Sequence, residues 1–222
     1  MKHLINFFGV VVIVCGLVSC GPGSSKIKNI PVPSLSGEEL AKYSQATFAG
    51  GCFWCEESIF ESVKGVKEVI SGYSGGTEQN PTYEEVGRGS TGHAETVNIY
   101  YDSAEVSYET LLKVYFASED ATQVNGQGPD IGRQYRSIIF YRNVNEKAEA
   151  EDYKKELNAS GKYDEPIAAE IEPFVKFWEA EDYHQNYIVK NPGVPYVRME
   201  SIPRIKKFQQ QFPDLIKPDH KF

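Results

Sequence analysis

Hydrophobic positions fall into one nearly continuous run near the start of the chain and a series of short periodic blocks beyond residue 45. Ala46-Thr47-Phe48-Ala49 is a short apolar stretch that stops at Gly50-Gly51. Ile59, Phe60 and Val63 then recur at a spacing that places them on one face of a helix. The pattern predicts a strand, a tight glycine turn and a helix. Residues 66–73 alternate loosely and close at Gly75-Gly76, which predicts a second strand. Residues 96–102 alternate more regularly, with Val97, Ile99 and Tyr101 on one side and Thr96, Asn98 and Tyr100 on the other. Ser107 can cap a helix whose apolar face holds Leu111, Leu112, Tyr115 and Phe116. A strand is expected over residues 137–141. A charged helix follows from Asn145 over residues 146–159, ended by Gly161. Residues 167–171 read as a strand, and residues 178–189 as a helix stopped by Asn191-Pro192-Gly193. A last helix runs from Pro203 with Ile205, Phe208 and Phe212 inward. Two segments, 74–93 and 119–135, show no period and read as long loops, and loops of that length inside a domain usually carry function.

The order strand, helix, strand, strand, helix, strand fits an α+β fold, a two-layer ferredoxin-like (split β-α-β) core with extra helices. The chain has 222 residues, 41% hydrophobic and 24% charged, which suits one folded domain with short extensions. Its net charge of -8 and the lack of a basic patch argue against a nucleic-acid partner.

The long apolar run belongs to a different part of the protein. Lys2 gives a positive start, residues 4–18 are almost wholly apolar, and Leu17-Val18-Ser19-Cys20 follows. The run is short for a membrane span and reads as an export signal over residues 1–19. Its last four residues look like a bacterial lipobox, which would be cut before Cys20 and lipidated on that sulfur; Cys15 would leave with the signal. An ordinary signal peptide with an incidental cysteine is the alternative. Residues 20–43, rich in Gly, Ser, Pro and Lys, read as a lipidated N-terminus and linker, and residues 44–222 as the catalytic domain. The expected location is the bacterial cell envelope, lipid-anchored to a membrane with the domain outside the cytoplasm, as a monomer.

Candidate chemistry centres on Cys52 and Cys55. Cys52 falls at the start of the expected helix, where unpaired N–H groups and the helix dipole favour an anion, so its thiol pKa is expected to fall. Cys55 is three residues on, on the same side of the helix, and the two sulfurs can meet in a disulfide. A zinc site needs about four ligands, and His93, His184 and His220 show no ligand spacing with this pair. A disulfide closing so small a ring constrains little of the unfolded chain. Reactive chemistry is the better reading.

The string Gly-Gly-Cys-Phe-Trp-Cys-x-Glu from Gly50 resembles the active-site signature of the A-type peptide methionine sulfoxide reductases. Four later blocks are similar to that family's in order and spacing. They are Gly72-Tyr73-Ser74-Gly75-Gly76, Asn80-Pro81-Thr82-Tyr83, Gly92-His93-Ala94-Glu95 and Gln134-Tyr135-Arg136-Ser137. The resemblance spans residues 46–200 and agrees with the two-layer fold. It implies thiol-dependent reduction of methionine S-sulfoxide, in proteins and free, to methionine, the repair of a reversible oxidation. It implies Cys52 as the nucleophile toward sulfur and Glu95 as the acid toward oxygen. Tyr83 and Tyr135 would bond the sulfoxide oxygen, and Phe53 and Trp54 would form the dry wall for the methyl group. Asp130 would fix the site and meet substrate, against the competing reading of a turn-forming aspartate. His93 and His184 would orient neighbours. The cycle would pass through a Cys52 sulfenic acid and a Cys52–Cys55 disulfide, reduced by an external thiol of thioredoxin-like type, with oxidised proteins as substrate and no metal or other cofactor. The chain departs from many relatives at position 55, for they carry a resolving cysteine in a C-terminal tail. Residues 196–222 here have none. Two readings from other classes stay open: a thioredoxin-like thiol-disulfide oxidoreductase, and a surface lipoprotein with a structural disulfide.

Overall fold

The computed structural model describes residues 27, 29–33 and 35–222. The signal and lipobox readings, with Cys15 and Cys20, lie outside the described residues. No helix among the described residues is long and apolar enough to cross a membrane.

Four strands form the centre of the sheet: β1 (Ser44–Ala49), β2 (Val66–Ser74), β3 (Ala94–Tyr101) and β6 (Ile138–Tyr141). They lie in the order β6-β1-β3-β2, each antiparallel to its neighbour. Helix α2 (Phe53–Glu61) joins β1 to β2, and α4 (Tyr108–Ser118) follows β3. This is the split β-α-β arrangement, and the expected α+β class holds. Two edge strands widen the sheet: β7 (Glu170–Pro173), parallel to β6, and β8 (Trp178–Glu179), antiparallel to β2.

The periodic side chains do what their spacing requires. Ile59, Phe60 and Val63 are wholly buried, as are Leu111, Leu112 and Tyr115, and they meet Phe48, Val97 and Ile99 in the main core. Burying so many apolar side chains is the main stabilising term of the fold, at about 1.5–3 kcal/mol for each large one. Ser107 caps α4 by accepting the Thr110 N–H at 3.1 Å. Because β3 is central, its second face is buried as well. There Asn98 accepts bonds from Thr47 Oγ1 at 2.7 Å and Arg142 Nη2 at 2.9 Å.

Several elements differ from the expectation. Residues 74–93 include a short helix, α3 (Tyr83–Gly87), closed by a capping box between Thr82 and Glu85. Residues 119–135 hold a small hairpin, β4 (Gly126–Gln127) and β5 (Asp130–Ile131), and a 3₁₀ turn at Arg133–Tyr135. Helix α5 (Val144–Ala159) starts one residue before Asn145, with Asn143 as its cap. The strand expected over 167–171 is β7 and starts three residues later.

The largest difference is at residues 178–189. They open with strand β8, pass through turns, and become helical only in α6 (Tyr187–Lys190). Polar groups in this stretch bond to the rest of the domain. Gln185 Oε1 accepts the Ser71 N–H at 2.9 Å, and Glu57 Oε2 accepts the Asn186 N–H at 2.9 Å. Asn186 takes a left-handed conformation (φ 57), which ends any helix there.

The last helix begins earlier than Pro203. Helical backbone starts at Pro195, widens into a π turn at Val197–Ser201, and continues as α7 (Ile202–Gln211). The described part of the 20–43 segment is packed on the domain. Ile27 and Ile30 are buried against Val189, with Ile202 and Phe222 alongside. The Leu35 N–H donates to Glu68 Oε2 at 2.8 Å, and Ser36 caps a helical turn, α1 (Gly37–Leu40).

Candidate active site

Strand β1 ends at Gly50-Gly51, and the chain must turn at once into α2. Gly51 does so at φ +85, and a Cβ there would lie 2.5 Å from Gln127 Cβ, so conformation and space both demand glycine. The turn delivers Cys52 as the N-cap of α2, in extended conformation, with a side chain that makes no capping bond. The free N–H of Phe53 is taken by Glu95 instead, which accepts it through Oε2 at 3.0 Å. Glu95 stands near the start of β3 and is buried. The Cys52 turn and the Glu95 carboxyl group, 43 positions apart, are thus locked together through one backbone bond at a helix start.

Burial drives the Glu95 carboxyl up to about 8, against the Phe53 bond, with Asp130 and Cys55 adding like-charge repulsion. It is therefore protonated at neutral pH. The Cys52 thiol moves opposite to the expectation. Burial first, then the thiol's bond to Cys55 and the charges of Cys55, Glu95 and Asp130, raise it well above its ordinary value. The helix start is legible in the sequence, but the burial that leads the opposite shift arises only on folding. Cys55 moves the other way, down to about 7, through its bond with Cys52 and then Arg204 and Ser201, against burial. The two thiols titrate as a pair that holds one negative charge, biased toward Cys55.

A cavity of ≈ 190 Å³ opens over Cys52. It is lined by seven of the sequence candidates, Cys52, Phe53, Trp54, Tyr83, Glu95, Asp130 and Tyr135, and by Tyr196. Cys55 does not line it. That sulfur borders a neighbouring cleft of ≈ 640 Å³. Phe53 stacks on Tyr83 with ring centroids 6.3 Å apart, and Trp54 on Tyr187 at 3.9 Å, giving the cavity an aromatic wall. The Trp54 indole N–H donates to His184 Nδ1 at 3.0 Å, which places the proton of a neutral His184 on Nε2. Burial lowers the His184 pKa and favours that neutral form. His184 therefore orients the wall. His93 orients a loop: its Nδ1 accepts the Gly76 N–H at 3.2 Å, and its Nε2 lies 2.9 Å from Glu78 O. The Tyr83 and Tyr135 phenols are pushed upward by burial and then by the charge of Glu95, so both remain hydrogen-bond donors.

The sequence reading missed three positioning groups. Tyr196, at the start of the last helix, donates to Asp130 Oδ2 at 2.5 Å and closes one side of the cavity. Glu181 accepts the Tyr73 hydroxyl and the Tyr83 N–H, each at 3.0 Å. Arg204 reaches Gly50 O at 3.0 Å from across the domain. No local signal marks any of them, since each acts on a partner about 65 to 155 positions away. Among the described residues no group of three or more His, Cys, Asp or Glu is arranged to hold a metal.

The sequence profile of the family described as "Peptide methionine sulfoxide reductase" matches residues 44–216, the whole of this fold from β1 to the last helix. The chain belongs to this family. Among its relatives, "Peptide methionine sulfoxide reductase MsrA 2" of Synechocystis is 49% identical over 78% of this chain and 81% of that protein. "Peptide methionine sulfoxide reductase MsrA" of Natronomonas pharaonis is 48% identical over 77% of this chain and 96% of its own length. Solved structures agree. Mxr1 of Saccharomyces cerevisiae in its reduced form superposes with a TM-score of 0.65 at 33% identity, covering 69% of this chain and 88% of that one. Methionine sulfoxide reductase A of Corynebacterium diphtheriae gives 0.60 at 34% identity, covering 68% and 77%.

Proposed function

We propose that this protein reduces the S epimer of methionine sulfoxide through attack by Cys52 and proton donation by Glu95, with Cys55 as the resolving thiol. The activity itself, thiol-dependent reduction of methionine sulfoxide, is that of its family. The observation that carries the assignment of roles is the single cavity in which Cys52 and a protonated Glu95 meet, tied by the Phe53 N–H.

The sulfoxide sulfur is electrophilic, but its oxygen leaves only after gaining a proton. Phe53 and Trp54 receive the methyl group, while Tyr83 and Tyr135 donate to the oxygen as charge develops there. Cys52 passes its proton along the shared bond to Cys55 and attacks sulfur. Glu95, whose Oε2 is occupied by the Phe53 N–H, delivers its proton from the other oxygen. Methionine departs and Cys52 is left as a sulfenic acid. Cys55 then closes the disulfide, which a dithiol reductant of thioredoxin-like type reopens. Peptide sulfoxide incubated with the residues 44–222 domain and dithiothreitol should yield methionine from half of a racemic substrate. Complete conversion would remove the stereochemical assignment, and no conversion the activity.

The pH dependence follows from two shifts of opposite use. The acid must be protonated, so the chemical step declines as pH rises through about 8, the Glu95 value. The thiol pair must carry its charge, so the step declines as pH falls through about 7, the Cys55 value. Single-turnover methionine release is expected to trace a narrow bell between these limits. A profile that keeps rising above pH 9 would take Glu95 out of the acid role.

The second part of the reading concerns location. Leu17-Val18-Ser19-Cys20 at the end of the apolar run supports lipidation of Cys20 and an envelope-anchored enzyme. Cys20→Ser, expressed in a bacterium fed labelled fatty acid, should lose the label and leave the membrane fraction. Label retained in that variant would refute the anchor.

A further inference from the structure

The last helix carries into the core a cation to which the steps above give no role of its own. Arg204 Nη2 donates to Gly50 O at 3.0 Å and to Glu56 Oε1 at 2.5 Å, and Nε donates to Ser118 O at 2.6 Å. Bonds to three separate segments fix the guanidinium under the turn that presents both cysteines. As a stabilising device the Arg204–Glu56 pair is weak, because desolvation of two buried ions offsets their attraction. Nor does Glu56 fully neutralise its partner. Burial raises its carboxyl to about 7 against the pull of Arg204, and burial with the charge of Glu56 raises the nearby Glu119 to about 8. Near neutral pH the cluster therefore keeps surplus positive charge, and that surplus faces Cys55. The buried Ser201 hydroxyl, which makes no hydrogen bond to nitrogen or oxygen, lies beside the same sulfur.

The second observation is the separation of the two recesses. Cys52 lines the ≈ 190 Å³ cavity, and Cys55 lines the ≈ 640 Å³ cleft together with Arg204. Asp130 and Tyr196, bonded to each other, are the residues common to both and form the partition. Substrate access and access to Cys55 thus lie on opposite sides of one wall.

We propose that Arg204 is the positioning residue of the resolving half-reaction, holding Cys55 as the charged sulfur, and that the cleft it flanks admits the dithiol reductant to Cys55 and not to Cys52. This rests on the resolving role given to Cys55 above. The Cys55 thiolate attacks the sulfenic sulfur of Cys52: an S–S bond forms, the S–O bond breaks, and the oxygen leaves as water after taking a proton from solvent. A thiolate of the reductant then attacks Cys55 Sγ, and Cys52 departs as a thiolate. The reductant's second thiol, losing its proton, attacks the reductant's own bridging sulfur and expels Cys55, again as a thiolate beside Arg204. Two electrons pass from the dithiol to the protein disulfide, and the reductant leaves as its own disulfide.

Other charges face Cys55 and set the background for a test. Cys52 and Glu56 belong to its own helix, Glu95 to β3, Asp130 to the hairpin and Tyr196 to the start of the last helix, while Glu119 lines the same cleft. Lys162, Lys207, Asp120 and Glu200 line the cleft farther out. The test is the pH dependence of Cys52–Cys55 closure, measured from preformed sulfenic acid in competition with dimedone. With Cys52 oxidised its thiol no longer contributes, and Arg204 and Ser201 should still hold the wild-type midpoint below the free thiol value of about 8.5. Arg204→Gln should move the midpoint toward the free thiol value of about 8.5, slowing closure at pH 7 roughly tenfold, and Arg204→Lys should restore most of the rate. Glu56→Gln, which removes only negative charge, should move it downward. Loss of packing would not produce shifts of opposite sign. Unmoved midpoints in folded Arg204→Gln and Glu56→Gln would overturn the proposal, and Glu56→Gln alone decides if Arg204→Gln does not fold. In a second arm, the oxidised protein meets a thioredoxin whose second active-site cysteine is serine. A mixed disulfide mapped to Cys55 supports the cleft, and one mapped to Cys52 overturns it. Wild type that never forms a Cys52–Cys55 disulfide would show instead that the resolving role itself is wrong.

Discussion

Glu95→Gln is expected to slow methionine release in a single turnover by about a hundredfold or more, the usual reach of a lost general acid. Glutamine has the shape of the neutral carboxyl group found here, and its amide oxygen can still accept the Phe53 N–H. The Cys52 turn should therefore stay in place and the stability of the fold should change little. What disappears is the transferable proton. The high-pH limb of the bell, set by the Glu95 value near 8, should vanish along with the rate. Rapid-quench measurement of methionine from a peptide sulfoxide, across pH 5 to about 9.5, reads both effects. A variant at the wild-type rate would place the acid elsewhere, with the Tyr83 and Tyr135 hydroxyls next in line by position.

Cys55→Ser is expected to release one methionine per enzyme and then stop when thioredoxin is the only reductant. No other cysteine occurs after Cys55, so no second internal thiol of the domain can take over. The sulfenic acid should accumulate and be trapped by dimedone on Cys52. The burst itself should slow near neutral pH, because the sulfur that accepts the Cys52 proton is gone. Dithiothreitol, small enough to enter the substrate cavity, should restore part of the turnover. Continuous thioredoxin-driven turnover with no dimedone adduct would remove Cys55 from the cycle.

The sequence disclosed different parts of this molecule for different physical reasons. The core strands and α4 were legible because one face of each must be apolar, as Val97, Ile99, Leu111 and Leu112 are. Cys52 and Cys55 were legible because glycine, cysteine and a helix start are local features. Glu95, Tyr83, Tyr135 and Asp130 could be named only through the family resemblance, since their strands and loops meet Cys52 only after folding. Residues 178–189 were misread because Ile188 and Val189 suit a helix, while Glu181, His184 and Gln185 bond across the domain. The sign of the Cys52 shift was missed for the same kind of reason. A helix start is written in the chain, but the burial that chiefly outweighs it comes only with folding.

The π turn at Val197–Ser201 makes segment length as consequential as side-chain identity. Tyr196 stands just before it and Arg204 just after, so the turn between them sets the phase of one against the other. A π turn closes five residues on, where an α turn closes four on, and so takes up one residue more. Loss of one residue inside it would let the helix run on as α, with Tyr196 still facing Asp130 and the guanidinium still near Gly50, Glu56 and Ser118. Loss of one residue from the α part before Arg204 would instead turn the guanidinium by about 100° away from them, so the wide turn is where this stretch can change length and keep its alignment.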